Sequence, residues 1–245
     1  MAANPESAAP RAPRLRRLII AIDGPAGAGK SSLAARLAGK LSYVNIETGA
    51  MYRALALKAI LREAPFDDET AILDLANESR IELIATRDGN RVTLDTEDVS
   101  ERIRDAEVTE AASRISVHPR VREWMVARQR QMGLAGGVVM EGRDIGTQVF
   151  PDADVKIFLD AAPEVRGQRR FDQQPHGNSE TMDAVLADLH QRDHRDRTRT
   201  TSPLVAAQDA VHLDASHLTL EQVVARAEEI IEQARKNLPA TPHDF

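Results

Sequence analysis

Short runs of apolar residues, each followed by a stretch of helical periodicity, organise most of the chain. Leu18–Ile22, Tyr43–Ile46, Val138–Met140, Val155–Asp160 and Ala210–Asp214 are such runs. Near-continuous apolar character over a few residues is what a strand buried on both faces requires. Helical patterns follow at 33–41, 47 to about 62, from Pro163, and 219–236. Strands alternating with helices predict an α/β, three-layer fold: a five-stranded parallel sheet with helices on both faces. Further helices are expected at 107–115, at 120–132 behind Pro119 in a first-turn position, and from 180 to about 199. Pro65 and the acidic Asp67-Asp68-Glu69 mark another helix start. Trp124 falls within the 120–132 helix and is expected to pack rather than react.

Between 81 and 103 the period changes. Ile81–Ile84, Arg91–Leu94 and Asp98–Ile103 alternate apolar with polar, and Asp88-Gly89-Asn90 carries a hairpin signal. A small antiparallel sheet inserted into the β-α-β pattern is expected. Residues 1–14, rich in Ala and Pro without periodicity, are expected to be a disordered tail. Gln173–Asn178 is polar and turn-rich and is expected to be a mobile loop.

Composition narrows the function classes. Of 245 residues 42% are hydrophobic, enough for a substantial core, and none is cysteine. Disulfides, cysteine nucleophiles and thiolate metal sites are therefore excluded, and a reducing, cytoplasmic setting is expected. Apolar runs of five or six residues are too short to cross a bilayer, so no membrane partner is expected. The net charge of −6 argues against a general nucleic-acid binder. Yet the 32 basic residues are mostly arginine, with lysine only at 30, 40, 58, 156 and 236. A guanidinium grips phosphate with two parallel hydrogen bonds, so arginine clusters bear on function.

The chemistry starts directly after the first apolar run. Gly24-Pro25-Ala26-Gly27-Ala28-Gly29-Lys30-Ser31-Ser32 fits the phosphate-loop pattern, with a strand before it and a helix after. Glycines let successive N–H groups converge on an anion, Lys30 reaches the β/γ-phosphates, and the Ser31 hydroxyl binds Mg²⁺. Such a loop specifies a nucleoside triphosphate but not its use. A GTPase also needs Asn-Lys-x-Asp and Asp-x-x-Gly, and neither string occurs. Phe158-Leu159-Asp160-Ala161 is a poor version of the strand end that a mechanical ATPase carries. A small-molecule kinase needs a second cationic pocket for its acceptor and an arginine lid. Material for both exists: Arg53 and Arg143-Asp144 follow strands, and Arg192, Asp196 and Arg199 share a helix face at i, i+4, i+7. A solvated helix laced with its own ion pairs is the alternative for that run, and His194 within it is expected to be an exposed spectator.

Five motifs in order resemble the bacterial cytidylate kinase family. They are Asp23–Lys30, Glu47-Thr-Gly-Ala-Met-Tyr-Arg53, Glu141-Gly-Arg-Asp-Ile-Gly-Thr147, Val149–Asp160 and Arg192-Asp-His-Arg-Asp-Arg197, within a span of about 17 to 236. The pattern's usual Asp before Thr-Gly-Ala is Glu47 here. The resemblance implies ATP-dependent phosphorylation of CMP or dCMP with Mg²⁺, in pyrimidine nucleotide supply, by a cytoplasmic monomer. It implies a core at 15–62, 107–165 and 183–238, an inserted nucleoside-monophosphate domain at 63–106, a lid at 166–182 and a C-terminal tail at 239–245. By motif match, Arg53, Arg143 and Arg199 would hold the acceptor phosphate, with Thr48 in the same site. Arg192 and Asp196 would face the ribose; Ser113, Arg122 and Asp144 would read the base. Lys30, Arg143 and Arg199 would carry catalysis, and the resemblance leaves open which of the lid arginines Arg166, Arg169 and Arg170 reaches the phosphates. Cytosine's N4 amino group suits a carboxylate and a hydroxyl, and its O2 and N3 suit arginine. The alternatives are a kinase of another small acceptor and a regulatory module that binds nucleotide without turnover.

Overall fold

β1 (Ile19–Asp23) is the middle strand of a parallel sheet ordered β2-β6-β1-β7-β8, with β2 at Val44–Glu47, β6 at Val138–Gly142, β7 at Val155–Asp160 and β8 at Val211–Asp214. The computed structural model describes residues 17–86, 89–173 and 181–237. The tails at 1–14 and 239–245, Asp88 of the hairpin signal and residues 174–178 of the polar loop lie outside the described residues.

The sheet is parallel and five-stranded because its apolar runs bury both faces. Ile20 and Ile22 join a cluster with Leu33, Leu37, Val139, Leu159 and Ile231, under α1 (Lys30–Leu41) and α8 (Leu220–Asn237). Ala21 points the other way, toward Ile46, Met140, Ile145 and Phe150. The five strands expected from the apolar runs are these five. β1 has β6 on one side and β7 on the other, so strand order changes direction there. Ligands of open α/β sheets bind at such a point.

β3 (Ile81–Thr86), β4 (Gly89–Leu94) and β5 (Glu97–Asp98) form the inserted antiparallel sheet. The expected third strand, Asp98–Ile103, is a correction: the chain leaves the sheet after Asp98 and makes one 3₁₀ turn at Arg102–Arg104. Val99 and Ile103 supply the apolar signal, but Val99 drops into the core from irregular backbone and Ile103 from the 3₁₀ turn rather than alternating across a sheet. This lobe shares its core with α2 (Thr48–Leu61), α3 (Glu69–Asn77), α4 (Ala106–Ile115) and α5 (Pro119–Gly133). In α2, Met51, Leu55, Ala56, Leu57 and Ala59 are buried on all sides, the mark of a helix enclosed between layers. Asp68 caps α3, accepting from the N–H of Thr70 (2.9 Å) and Ala71 (3.1 Å). Trp124 packs in this core as expected, with the Arg128 guanidinium 3.3 Å from its ring centre. α6 (Pro163–Asp172) and α7 (Met182–Thr198) pack together beside the phosphate loop.

Candidate active site

The loop 24–29 leaves the carboxyl end of β1 and enters α1 at Lys30. Gly24 has φ of 151° and Gly29 of 100°, a region strained for any side chain. A Cβ at Gly24 would stand 1.9 Å from the Leu159 carbonyl oxygen, so packing against β7 admits glycine alone. Among the described residues no side chain caps the start of α1, which leaves its first N–H groups to an anion. Lys30 is 5% exposed, and its Nζ donates to the Pro25 carbonyl at 2.7 Å, folding the side chain over its own loop. Burial, then repulsion from Arg143, pushes its ammonium down to about 7.

Two carboxylates stand behind this loop. Ser31 Oγ donates to Glu141 Oε1 at 3.0 Å; Glu141 lies near the end of β6, and burial pushes its carboxyl up. Asp23 ends β1 and accepts from the N–H of Ile145 and of Gly146, each at 2.7 Å. Burial pushes the Asp23 carboxyl up to about 6 against those two bonds. Ile145 and Gly146 open a single π-helical turn, Ile145–Val149, directly after Arg143-Asp144. The strand that carries the phosphate loop thus also clamps the turn that presents Arg143 and Asp144.

Asp196, on α7, joins two arginines. Its Oδ2 accepts from Arg143 Nε at 2.8 Å and its Oδ1 from Arg199 Nη1 at 3.2 Å. Burial raises its carboxyl, but Arg143 and Arg199 outweigh burial and hold it below the usual carboxylate range. Arg199 is fixed again by the Ser202 carbonyl at 2.6 Å. Arg122 on α5 donates to Asp144 Oδ2 at 2.5 Å and to the Ser116 carbonyl at 3.2 Å. Arg53 pairs with Glu47 across the start of α2, so the longer acid in place of Asp reaches a site arginine.

Three expected site residues have other partners. The Thr48 hydroxyl donates to the Glu141 carbonyl at 2.8 Å, tying α2 to β6. Ser113 Oγ accepts from Arg195 Nη1 at 2.9 Å. Arg192 is nearest Asp188, at 3.8 Å, rather than Asp196. The 191–199 run is not a solvated face, because Asp193, Asp196 and Arg199 are buried, whereas His194 is exposed as expected.

Buried donors without partners among the described residues include Arg53 Nε, Arg122 Nε and Arg199 Nη2, together with the Tyr52 hydroxyl. An unpaired buried polar group costs about 1–3 kcal/mol, so those on Tyr52, Arg122 and Arg199, which act on one another electrostatically, point to a ligand that completes them. Sequence reasoning missed Tyr52, which reads as an ordinary core aromatic. It also left Arg166 and Arg169 unassigned. Arg166 donates to the Ala26 carbonyl at 3.0 Å and pairs with Asp193 at 2.7 Å. Arg169 donates to the Ala28 carbonyl at 3.1 Å. Both arginines hold the backbone of the phosphate loop, and periodicity carries no signal for a side chain bonded to a distant carbonyl.

A triphosphate loop at the switch point of a parallel sheet, beside arginines fixed by buried carboxylates, defines a P-loop phosphotransferase. The family model for cytidylate kinase matches residues 20–235. The chain belongs to the cytidylate kinase family. It is 48% identical over 219 residues to the cytidylate kinase of Geobacillus thermodenitrificans strain NG80-2, covering 89% of this chain and 98% of that protein. To the cytidylate kinase of Enterococcus faecalis strain ATCC 700802 it is 46% identical over 218 residues, covering 89% and 96%.

Proposed function

We propose that the pocket formed by Arg53, Arg122, Arg143, Asp144, Asp196 and Arg199 receives the nucleoside monophosphate, facing a triphosphate held by residues 24–32. The chain transfers the γ-phosphoryl group of ATP to CMP or dCMP, as its family does. The observation that carries the site assignment is the set of buried, unpartnered guanidinium nitrogens on Arg53, Arg122 and Arg199. Arg53, Arg143 and Arg199 bind the acceptor phosphate. Arg122 donates to O2 and N3 of cytosine, and the second oxygen of Asp144 accepts from the N4 amino group. Arg192 and Asp196 serve the ribose, while Thr48 and Ser113 line the same site.

Lys30 and the loop amides neutralise the transferring group, and Arg143 and Arg199 bring the acceptor oxygen to it. A loose phosphoryl-transfer transition state asks for position and charge neutralisation, so no strong general base is required. Lid closure over the loop would exclude water from the reaction; residues 174–180 of the expected lid, 166–182, lie outside the described residues. Among the described residues no cluster of three or more carboxylate or imidazole groups gathers as a metal cage. A sparse donor set suits Mg²⁺, which takes most ligands from phosphates and water. The Ser31 hydroxyl, backed by Glu141, fits that role; Mg²⁺ bound there would offset charge on the β- and γ-phosphates.

ATP and CMP as substrates support a cytoplasmic setting. Among the described residues no helix is long and apolar enough to cross a membrane. The test is a coupled ADP-release assay with CMP, dCMP, UMP, AMP and GMP. CMP and dCMP are expected to give the highest kcat/KM; release with UMP but not with CMP would overturn the reading of the pocket.

A further inference from the structure

Tyr52 stands on α2 one residue before Arg53, and its buried hydroxyl has no hydrogen-bond partner among the described residues. The Arg122 guanidinium lies over its ring, 5.6 Å from the ring centre. Burial pushes the phenol's pKa up and keeps it neutral, and the charges that bear most on it are, in order, Arg122, Asp144, Arg199 and Asp196. Those four are the base-reading pair, one phosphate-holding arginine and the ribose carboxylate, so the hydroxyl belongs with the acceptor site. It bonds to none of them, although each is paired to another residue of the pocket. Arg122 Nε and Arg199 Nη2 are unpartnered in the same way.

We propose that Tyr52 is a further substrate-contacting residue of the acceptor site, its hydroxyl completed by the bound nucleotide while its ring braces Arg122. The inference rests on the reading of this pocket as the acceptor site. The phenol is a neutral group among paired charges, and its nearest influence is the guanidinium assigned to cytosine O2 and N3. Its O–H donates to the pyrimidine 2-carbonyl, an oxygen that cytosine and uracil share. The ring acts separately: cation–π contact holds the plane of Arg122 at the angle its hydrogen bonds need.

Tyr52→Phe removes the hydroxyl and keeps the brace. It should raise KM for CMP and for UMP about tenfold alike, the effect of one lost hydrogen bond to a ligand. The CMP:UMP ratio of kcat/KM should hold within about twofold and KM for ATP should not move. The free protein should unfold at the same temperature or higher, since an unpaired buried hydroxyl is gone, while the upshift produced by CMP shrinks. A merely structural hydroxyl would instead lower the unfolding temperature and leave the CMP upshift intact. Tyr52→Leu, which also removes the brace, should lower the CMP:UMP ratio. Unchanged KM for CMP in Tyr52→Phe overturns the proposal, and a CMP:UMP ratio altered more than about fivefold overturns the shared-oxygen assignment. Asp144→Asn, measured alongside, separates the two levels. If it leaves the CMP:UMP ratio intact, the pocket reading fails; if it lowers the ratio while Tyr52→Phe does nothing, this inference alone fails.

Discussion

Arg122 and Asp144 meet at 2.5 Å with their side chains 2% and 7% exposed. Burying two charges is costly, and their mutual attraction offsets that cost only with good geometry and further hydrogen bonds. Here the Ser116 carbonyl supplies one, and Arg122 Nε has no partner among the described residues. On the proposed reading of the pocket, the pair is a preset donor–acceptor edge, polar in one order, which cytosine matches and uracil reverses at N3 and position 4.

Asp144→Asn keeps the shape and changes the polarity of that edge. The CMP:UMP ratio of kcat/KM should fall by about 10² or more, with KM for ATP almost unchanged. Urea unfolding should show a loss of about 3–5 kcal/mol, because Arg122 is left buried without its counter-charge. Steady-state kinetics with both acceptors decides the first point; an unaltered ratio would remove Asp144 from base recognition.

How far the chain announces this site depends on the kind of signal each residue leaves. Continuous apolar runs such as Leu18–Ile22 are legible because burial on both faces admits little else, and the phosphate loop is legible because Gly24 and Gly29 take positive φ. Val99 and Ile103 mislead because apolar residues in irregular backbone and a single 3₁₀ turn mimic a short strand. Arg143 and Asp196 were legible as types at a strand end and on a helix face; Arg199, expected on that face, instead stands just past the end of α7 in extended backbone. What periodicity cannot give is the pairing: Arg143 is 53 residues from Asp196, and Asp23 is 122 and 123 residues from the amides it holds. Ser113 shows the same limit, since its Arg195 partner lies on another helix.

Arg166 reaches from α6 to the phosphate loop and to Asp193 on α7. Arg166→Met leaves Asp193 buried without its partner, and should cost about 3–5 kcal/mol of stability. It should also raise KM for ATP more than KM for CMP, because the Ala26 carbonyl loses its anchor. Arg166→Met combined with Asp193→Asn should recover much of the stability and little of the ATP affinity. Equal loss in the single and double variants, measured by urea unfolding, would show that the pair is not what holds this face.

Lys30 gives stability a pH dependence of definite sign. Burial, with Arg143 next, lowers its pKa from 10.5 to about 7 in the folded chain. Between those values the unfolded chain binds more protons, so stability rises with pH across that window. The penalty is full below about pH 7, where both states carry the charge. Urea midpoints taken from about pH 7 to about pH 9 should therefore climb from this group, and Lys30→Met should flatten that part of the slope. The same variant should lose kcat by on the order of 10³ or more while still folding, because the transferring phosphoryl group loses its ammonium. An identical slope in the variant would assign the pH dependence elsewhere.

Ser31 and Glu141 make the last test, which concerns the metal. The Ser31 hydroxyl donates to Glu141 at 3.0 Å. On binding Mg²⁺ its oxygen would turn to the cation, with the Glu141 carboxylate behind it. Magnesium dehydrates reluctantly, so one lost protein ligand weakens its hold without abolishing it. Ser31→Ala should raise the Mg²⁺ concentration for half-maximal rate by about tenfold, with KM for CMP at saturating Mg²⁺ unchanged within about twofold. Glu141→Gln should move the Mg²⁺ curve in the same direction by a smaller factor, since it removes the charge behind the ligand and not the ligand. Titrations of rate against Mg²⁺ at fixed ATP separate these outcomes. A Ser31→Ala curve that overlays the unsubstituted chain would mean that the phosphates and water hold the cation without this hydroxyl.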